Sequence, residues 1–153
     1  MLKKIIFTVI LIVFLAGVYA NGSAKDVPME DIEEQLIQNT DIEKMAKCDN
    51  RSLMQFFGLD YETFDAHIYY KGTEALSVDE ILIVKAEDKS DLDQVRDAVE
   101  KRISSQIATF EGYGPKQVAL LKNAVITLKG DYLFYATGKD AEKMEEVFAD
   151  AVQ

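Results

Sequence analysis

Two short stretches set the terms for the whole chain. Ile81 to Val84 and Tyr132 to Tyr135 are each apolar at four consecutive positions, in β-branched and aromatic runs that favour strands. Successive side chains of a strand point to opposite faces, so each stretch loads both faces of a sheet at once. If helices cover only one face, the other must be buried by the N-terminal helices, a second copy of the chain or a ligand. Burial within the chain is the favoured solution. A length of 153 residues with 48% hydrophobic content is enough for one such core, and points to one domain.

The elements around these stretches can be read in order. Pro28 suits a first helical turn, and Met29, Ile32 and Leu36 follow at helical spacing with Glu30, Asp31, Glu33 and Glu34 near the N-terminal end. Thr40-Asp41-Ile42-Glu43 reads as a capping box, predicting a second helix that carries Ile42, Met45 and Ala46 inward. Arg51 to Phe57 predicts a third, ended by Gly58. The period then changes. Ala66 to Lys71 and Ile81 to Ala86 read as strands. From Ser90, an N-cap candidate, Leu92, Val95, Val99, Ile103, Ile107 and Phe110 mark a long amphipathic helix. Gly112-Tyr113-Gly114 breaks it, and Pro115 opens a shorter helix with Val118 and Leu121. Ala124 to Lys129 and Tyr132 to Thr137 are strands joined by Gly130-Asp131, a two-residue type II′ turn. Asp140 then caps a last helix with Met144, Val147, Phe148 and Ala151 on one face.

The two halves echo each other as strand, strand, helix. The expected fold is therefore α+β: a four-stranded antiparallel sheet from two such units, both helices on one face, with the N-terminal helices at an edge or across the second face. Residues 28–153 form that single domain.

The first twenty residues read as an address. Lys3 and Lys4 precede the apolar run Ile5 to Ala16, and Val18-Tyr19-Ala20 offers a cleavage site before Asn21. An uncleaved anchor is the competing reading. Ile5 to Ala20 would make about 24 Å of helix against a hydrocarbon core of roughly 30 Å, a little short for a span. Leu15-Ala16-Gly17 resembles the start of a bacterial lipoprotein box, but Val18 occupies the position of the lipidated cysteine. Either reading places the bulk of the chain outside the cytoplasm, with residues 21–27 as a polar tether and membrane contact only through residues 5–20 if they are retained.

Charge and scarce residues exclude several functions. A net charge of −10, moving to −12 without the two leader lysines, argues against nucleic acid, whose phosphates demand Lys and Arg. One Cys cannot form an internal disulfide or a thiolate zinc site, and one His excludes multi-histidine metal centres. No cofactor is expected. A cationic or neutral partner is the compatible guess.

Phe110-Glu111-Gly112-Tyr113-Gly114-Pro115, Lys122-Asn123-Ala124, Lys129-Gly130-Asp131-Tyr132 and Lys139-Asp140 together resemble a family of exported bacterial proteins carrying a domain of unknown function. The resemblance spans about two thirds of the chain. It implies an extracytoplasmic α+β domain, in a family mostly of Gram-positive anaerobes whose members are often lipoprotein-like or N-terminally anchored. It brings no assigned catalytic residues.

Each chemically suggestive residue also has a plainer reading. His67 could be a general base, yet nothing in sequence marks a nucleophile or carboxylate for it, and a satisfied strand histidine is the simpler view. Cys48 reads as a small buried hydrophobe before a reactive thiol. Asp88, Asp91 and Asp93 have oxygen ligands at close spacing but lack the glycine and distal glutamate of a calcium loop, so capping of the long helix is the better role. Glu142, Glu145, Glu146 and Asp150 read as a solvated helix face. Tyr113, between two glycines, could protrude as a binding residue or fold back as a plug. Tyr132 and Phe134, on a two-faced strand, are the other candidates for contact with a ligand or partner. The expected function is an extracytoplasmic binding module for an envelope protein or small ligand, with homodimerisation open. The alternative is an envelope hydrolase or lyase whose carboxylates converge only in the fold.

Overall fold

The computed structural model describes residues 2–153 and, of these, every side chain except those of residues 2–3 and 19–22. Its helices are α1 (Leu2–Gly22), α2 (Met29–Asn39), α3 (Asn50–Phe57), α4 (Lys89–Phe110), α5 (Pro115–Lys122) and α6 (Ala141–Ala151). Its strands are β1 (Ala46–Lys47), β2 (Ala66–Lys71), β3 (Glu80–Lys85), β4 (Val125–Lys129) and β5 (Tyr132–Thr137). They form one antiparallel sheet in the order β1-β2-β3-β5-β4. The class is α+β as expected, but the sheet has five strands, not four.

The fifth strand replaces a helix that the capping box promised. Thr40 does accept from the Ile42 N–H, at 3.3 Å, but only the 3-10 turn Ile42–Lys44 follows. Ile42 is buried as expected, whereas Ala46 is exposed and pairs with Lys71 while Lys47 pairs with Tyr70. The bare edge of β2 offers backbone partners that a second helix would leave unused, and pairing there overrides local propensity. Helix α4 likewise starts earlier than Ser90. Asp88 is its cap, and the Asp88 carboxylate accepts from both the backbone N–H and the hydroxyl of Ser90 at 2.8 Å.

The larger correction concerns the layers. β3 and β5 lie side by side, with Ile83 opposite Phe134 and Leu82 opposite Tyr135. On one face Ile81, Ile83, Phe134 and Ala136 pack against Met29, Ile32 and Leu36 of α2 and Met144 and Phe148 of α6. On the other, Leu82, Val84, Leu133 and Tyr135 pack against Leu53 and Phe57 of α3 and Leu92, Val95 and Val99 of α4. The two long helices of the strand-strand-helix units therefore lie on opposite faces, not on one. Two-faced strands explain this: helices on a single face would leave Ile83 and Phe134 to water, and each such side chain is worth about 1.5–3 kcal/mol when buried. A third cluster, Val78, Phe110 and Leu121, closes the end of the sandwich under α5.

The Gly130-Asp131 turn is built as the sequence indicates. Lys129 pairs with Tyr132, and of the two loop residues only Gly130 has positive φ, +57°, the pattern of a type II′ turn. This turn receives the incoming chain. Ala24 lies so close that a Cβ on Gly130 would come within 2.8 Å of the Ala24 methyl. The Lys25 N–H donates to the Val152 carbonyl at 2.8 Å. Asp26 pairs with Lys85, whose ammonium sits 5.7 Å from the Tyr132 ring centre. The Val27 N–H donates to the Tyr132 hydroxyl at 2.9 Å, and that hydroxyl donates to the Val27 carbonyl at 2.7 Å. From Ala24 onward the segment expected to be a loose tether is part of the domain.

Helix α1 differs from every other element. Ile5, Phe7, Ile10, Val13 and Phe14 are all exposed. Among the described residues, no helix is long and apolar enough to cross a membrane.

Tyr132→Phe keeps the ring and removes both bonds to Val27. It should lower stability in urea by about 1–2 kcal/mol and accelerate hydrogen exchange at the Val27 amide. Unchanged exchange there would mean that the segment is not held by Tyr132.

Candidate functional site

The polar residues that the fold brings together meet at one end of the central strands. In register, Lys71 of β2, Glu80 of β3 and Thr137 of β5 form one row across the sheet. Two residues along on the same face stand Tyr69 and Tyr135. Helix α4 lays Leu92, Val95 and Val99 on this face, and three residues further, beside Ile103 of the apolar stripe, it carries Arg102.

Glu80, Arg102, Tyr69, Tyr135 and Lys71 form a buried ion centre. Glu80 is 1% exposed. Its carboxylate accepts from Arg102 Nε at 2.7 Å and from the same guanidinium's Nη2, a two-pronged pairing. The Tyr69 hydroxyl donates to it at 3.0 Å and the Tyr135 hydroxyl at 3.3 Å, and Lys71 Nζ lies 3.9 Å away. Burial, then the charge of Glu80, pushes both phenols well above their ordinary pKa. Burial also works against the charge of Arg102, but its bonds to Glu80 outweigh that and raise its pKa. The Arg102 guanidinium lies 4.9 Å from the Phe56 ring centre and 5.2 Å from that of Phe57, while Lys71 Nζ lies 3.9 Å from the Phe56 ring centre. Glu80, Arg102, Tyr69 and Tyr135 are hydrogen-bonded to one another, and Lys71 is ion-paired alongside. The arrangement locks α3 and α4 onto the sheet.

Beyond this row lie the loops that reach solvent. The β2–β3 loop carries Leu76, 59% exposed, and its carbonyl accepts from Gln117 of α5 at 3.4 Å. Tyr113, 62% exposed, stands at the α4–α5 turn with its ring centre 5.5 Å from that of Phe110. The tyrosine that could protrude or plug does protrude, over the third apolar cluster. At the same end a hollow of about 250 Å³ is lined by Asp41, Glu74, Asp79, Lys139 and Asp140 among others. Its floor is tightly built. Gly138, at φ +122°, lies so close that a Cβ there would come within 2.2 Å of Asp79 Oδ1, and Ser77 Oγ donates to Asp79 Oδ2 at 3.1 Å.

The remaining candidates sit elsewhere. Phe134 is fully buried and stacks on Phe148, ring centres 5.1 Å apart, and Tyr132 is 1% exposed in its clamp on Val27. Neither is placed to meet a ligand from solvent. His67 is half-buried opposite Val84, near Tyr61, and burial lowers its pKa. Burial is also the main reason the Cys48 thiol is raised, so its reactive thiolate is disfavoured; the thiol donates to the Ala46 carbonyl at 3.6 Å. Among the described residues no group of three or more His, Cys, Asp or Glu is arranged to hold a metal ion. Asp88 serves as the helix cap already described. Glu80 and Arg102 were missed by the sequence reading. The available signals were an acid beginning an otherwise apolar strand and an arginine three residues after Val99.

Fold and site together define a three-layer α+β domain with a buried carboxylate–guanidinium centre and an exposed aromatic end. The chain belongs to the DUF4358 family, a domain of unknown function, which matches residues 38–138. That range holds all five strands with α3, α4 and α5, while α2 and α6 lie largely or wholly outside it. Neither the curated proteins nor the solved structures yield a match.

Two outcomes test the chemistry. Glu80→Leu strands a buried guanidinium and should cost about 3–5 kcal/mol in urea unfolding, whereas adding Arg102→Met should recover most of that loss. Additive losses would mean that the two residues act independently. For His67, the unfolded state takes up its proton first, near pH 6.5, so stability should fall as pH drops from about 7.5 toward 5.5. His67→Gln should flatten that part of the profile; an unchanged slope would assign it to other groups.

Proposed function

We propose that this is an exported or membrane-tethered binding module that engages an envelope protein or small ligand through the end bearing Tyr113 and Leu76. The observation that carries this reading is their placement. Both are more than half exposed, at the end of the sheet marked by Lys71, Glu80 and Thr137. The chain enters the domain at the other end, where Val27 meets Tyr132. A domain held by its N-terminus would thus present its exposed aromatic end away from the attachment point. The leader-like residues 1–20 and the apolar, exposed surface of α1 support the tethered or exported setting.

Photo-crosslinking in cells producing the full chain tests this. A benzoylphenylalanine at position 113 or 76 should give the same discrete adduct, and one at the exposed Asp131 of the β4–β5 turn, at the opposite end, should give none. Equal labelling from all three, or none from 113 and 76, would contradict the reading. Protease added outside spheroplasts should degrade the domain; full protection would contradict the extracytoplasmic setting.

The hollow beside Asp79 favours a second reading, an envelope hydrolase or lyase, because Asp41, Glu74, Asp79 and Asp140 converge on it. Turnover of an isolated envelope fraction by the full chain, lost in Asp79→Asn or Asp140→Asn, would establish it. Absence of turnover in the unaltered protein would dismiss it.

A further inference from the structure

A separate groove of about 290 Å³ lies between α3 and α4, lined in part by Met54, Phe56, Ala98, Lys101, Arg102 and Ser105. In a chain with 27 acids and 17 lysines and arginines, this lining holds two cations and no carboxylate. The hollow beside Asp79, the cleft between α2 and α6, and the recess beside β4 each include at least one. The sign of the groove is therefore opposite to that of the molecule.

Its arginine is held in advance. Glu80 takes the Arg102 Nε–H and one Nη2–H, and the Phe56 carbonyl accepts from Nη1 at 3.5 Å. A guanidinium carries five N–H groups, so two keep no partner among the described residues. The side chain is only 11% exposed, and Phe56 and Phe57 hold its plane. Lys71 gives the Glu80 centre two cations against one acid. A carboxylate arriving in the groove would meet net positive charge and a guanidinium already held in place with two N–H groups to spare. Met54, Phe56, Phe57 and Ala98 offer apolar surface alongside.

We propose that this groove binds small organic carboxylates with an apolar tail: the carboxylate accepts from Arg102 and Lys101, and the tail lies along Met54 and Ala98. The groove's lining includes neither Tyr113 nor Leu76, and the proposal does not rest on the function assigned to them.

The test uses the full chain in zwitterionic lipid nanodiscs, titrated with hexanoate and followed by NMR at the Arg102 Nε–H and the Met54 methyl. Hexanol and hexylamine serve as neutral and cationic probes of the same length. Hexanoate should shift both signals saturably with a Kd in the millimolar range, as suits so small a ligand, and the other two should not. Lys101→Glu should weaken hexanoate about tenfold or more without moving the urea midpoint, and Ser105→Phe should block the groove. A non-saturating response, an equal response to hexanol, or unchanged affinity in Lys101→Glu would each overturn the proposal.

Discussion

The pairing of β3 with β5 is the constraint on which the rest of the molecule depends. Both strands are apolar toward both sides, so their union creates a central ribbon that tolerates water on neither face. Everything else follows as cover. Helices α2 and α6 close one side, α3 and α4 the other. The family-matched segment 38–138 contains the ribbon and only one of these covers, α3 with α4, complete. The folded unit therefore has to extend past that segment at both ends. Ala24 to Val27, bonded to the β4–β5 turn and to Val152, belongs to the same requirement.

Glu80 is the exception that this ribbon admits. A buried carboxylate is costly unless its charge is matched and its lone pairs are occupied. Here one guanidinium and two phenols do so, with Lys71 nearby. The consequence for function is that the polar groups most deeply gathered by the fold bond to one another. Groups left with capacity lie at the margins: the exposed Tyr113 and Leu76, the carboxylates around Asp79, and the outward side of Arg102.

Much of the architecture was legible in the sequence because it is written as periodicity. The stripe of α4, the two-faced strands and the Gly130-Asp131 turn are local patterns with local causes. Two features depended on tertiary context. Whether Ala46 and Lys47 continue a helix or pair with β2 is decided by an open strand edge at Tyr70 and Lys71, more than twenty positions along the chain and invisible to the local pattern. Which face each long helix takes depends on what else is available to cover the other. The site was less legible still. Tyr113 could be singled out by its flanking glycines, but Tyr132 and Phe134, read as possible contacts, are held inside. Glu80 and Arg102 are 22 positions apart, and only the fold shows that they meet.

Native-state hydrogen exchange on the full chain examines the sealed ribbon most directly. The amides of Ile81 to Val84 and Leu133 to Ala136 should be the slowest in the protein and open only with global unfolding. If they instead exchange through a smaller opening in which α2 and α6 come away while α3 and α4 stay protected, the sheet does not require both covers, and the two-faced ribbon is not what holds the domain together.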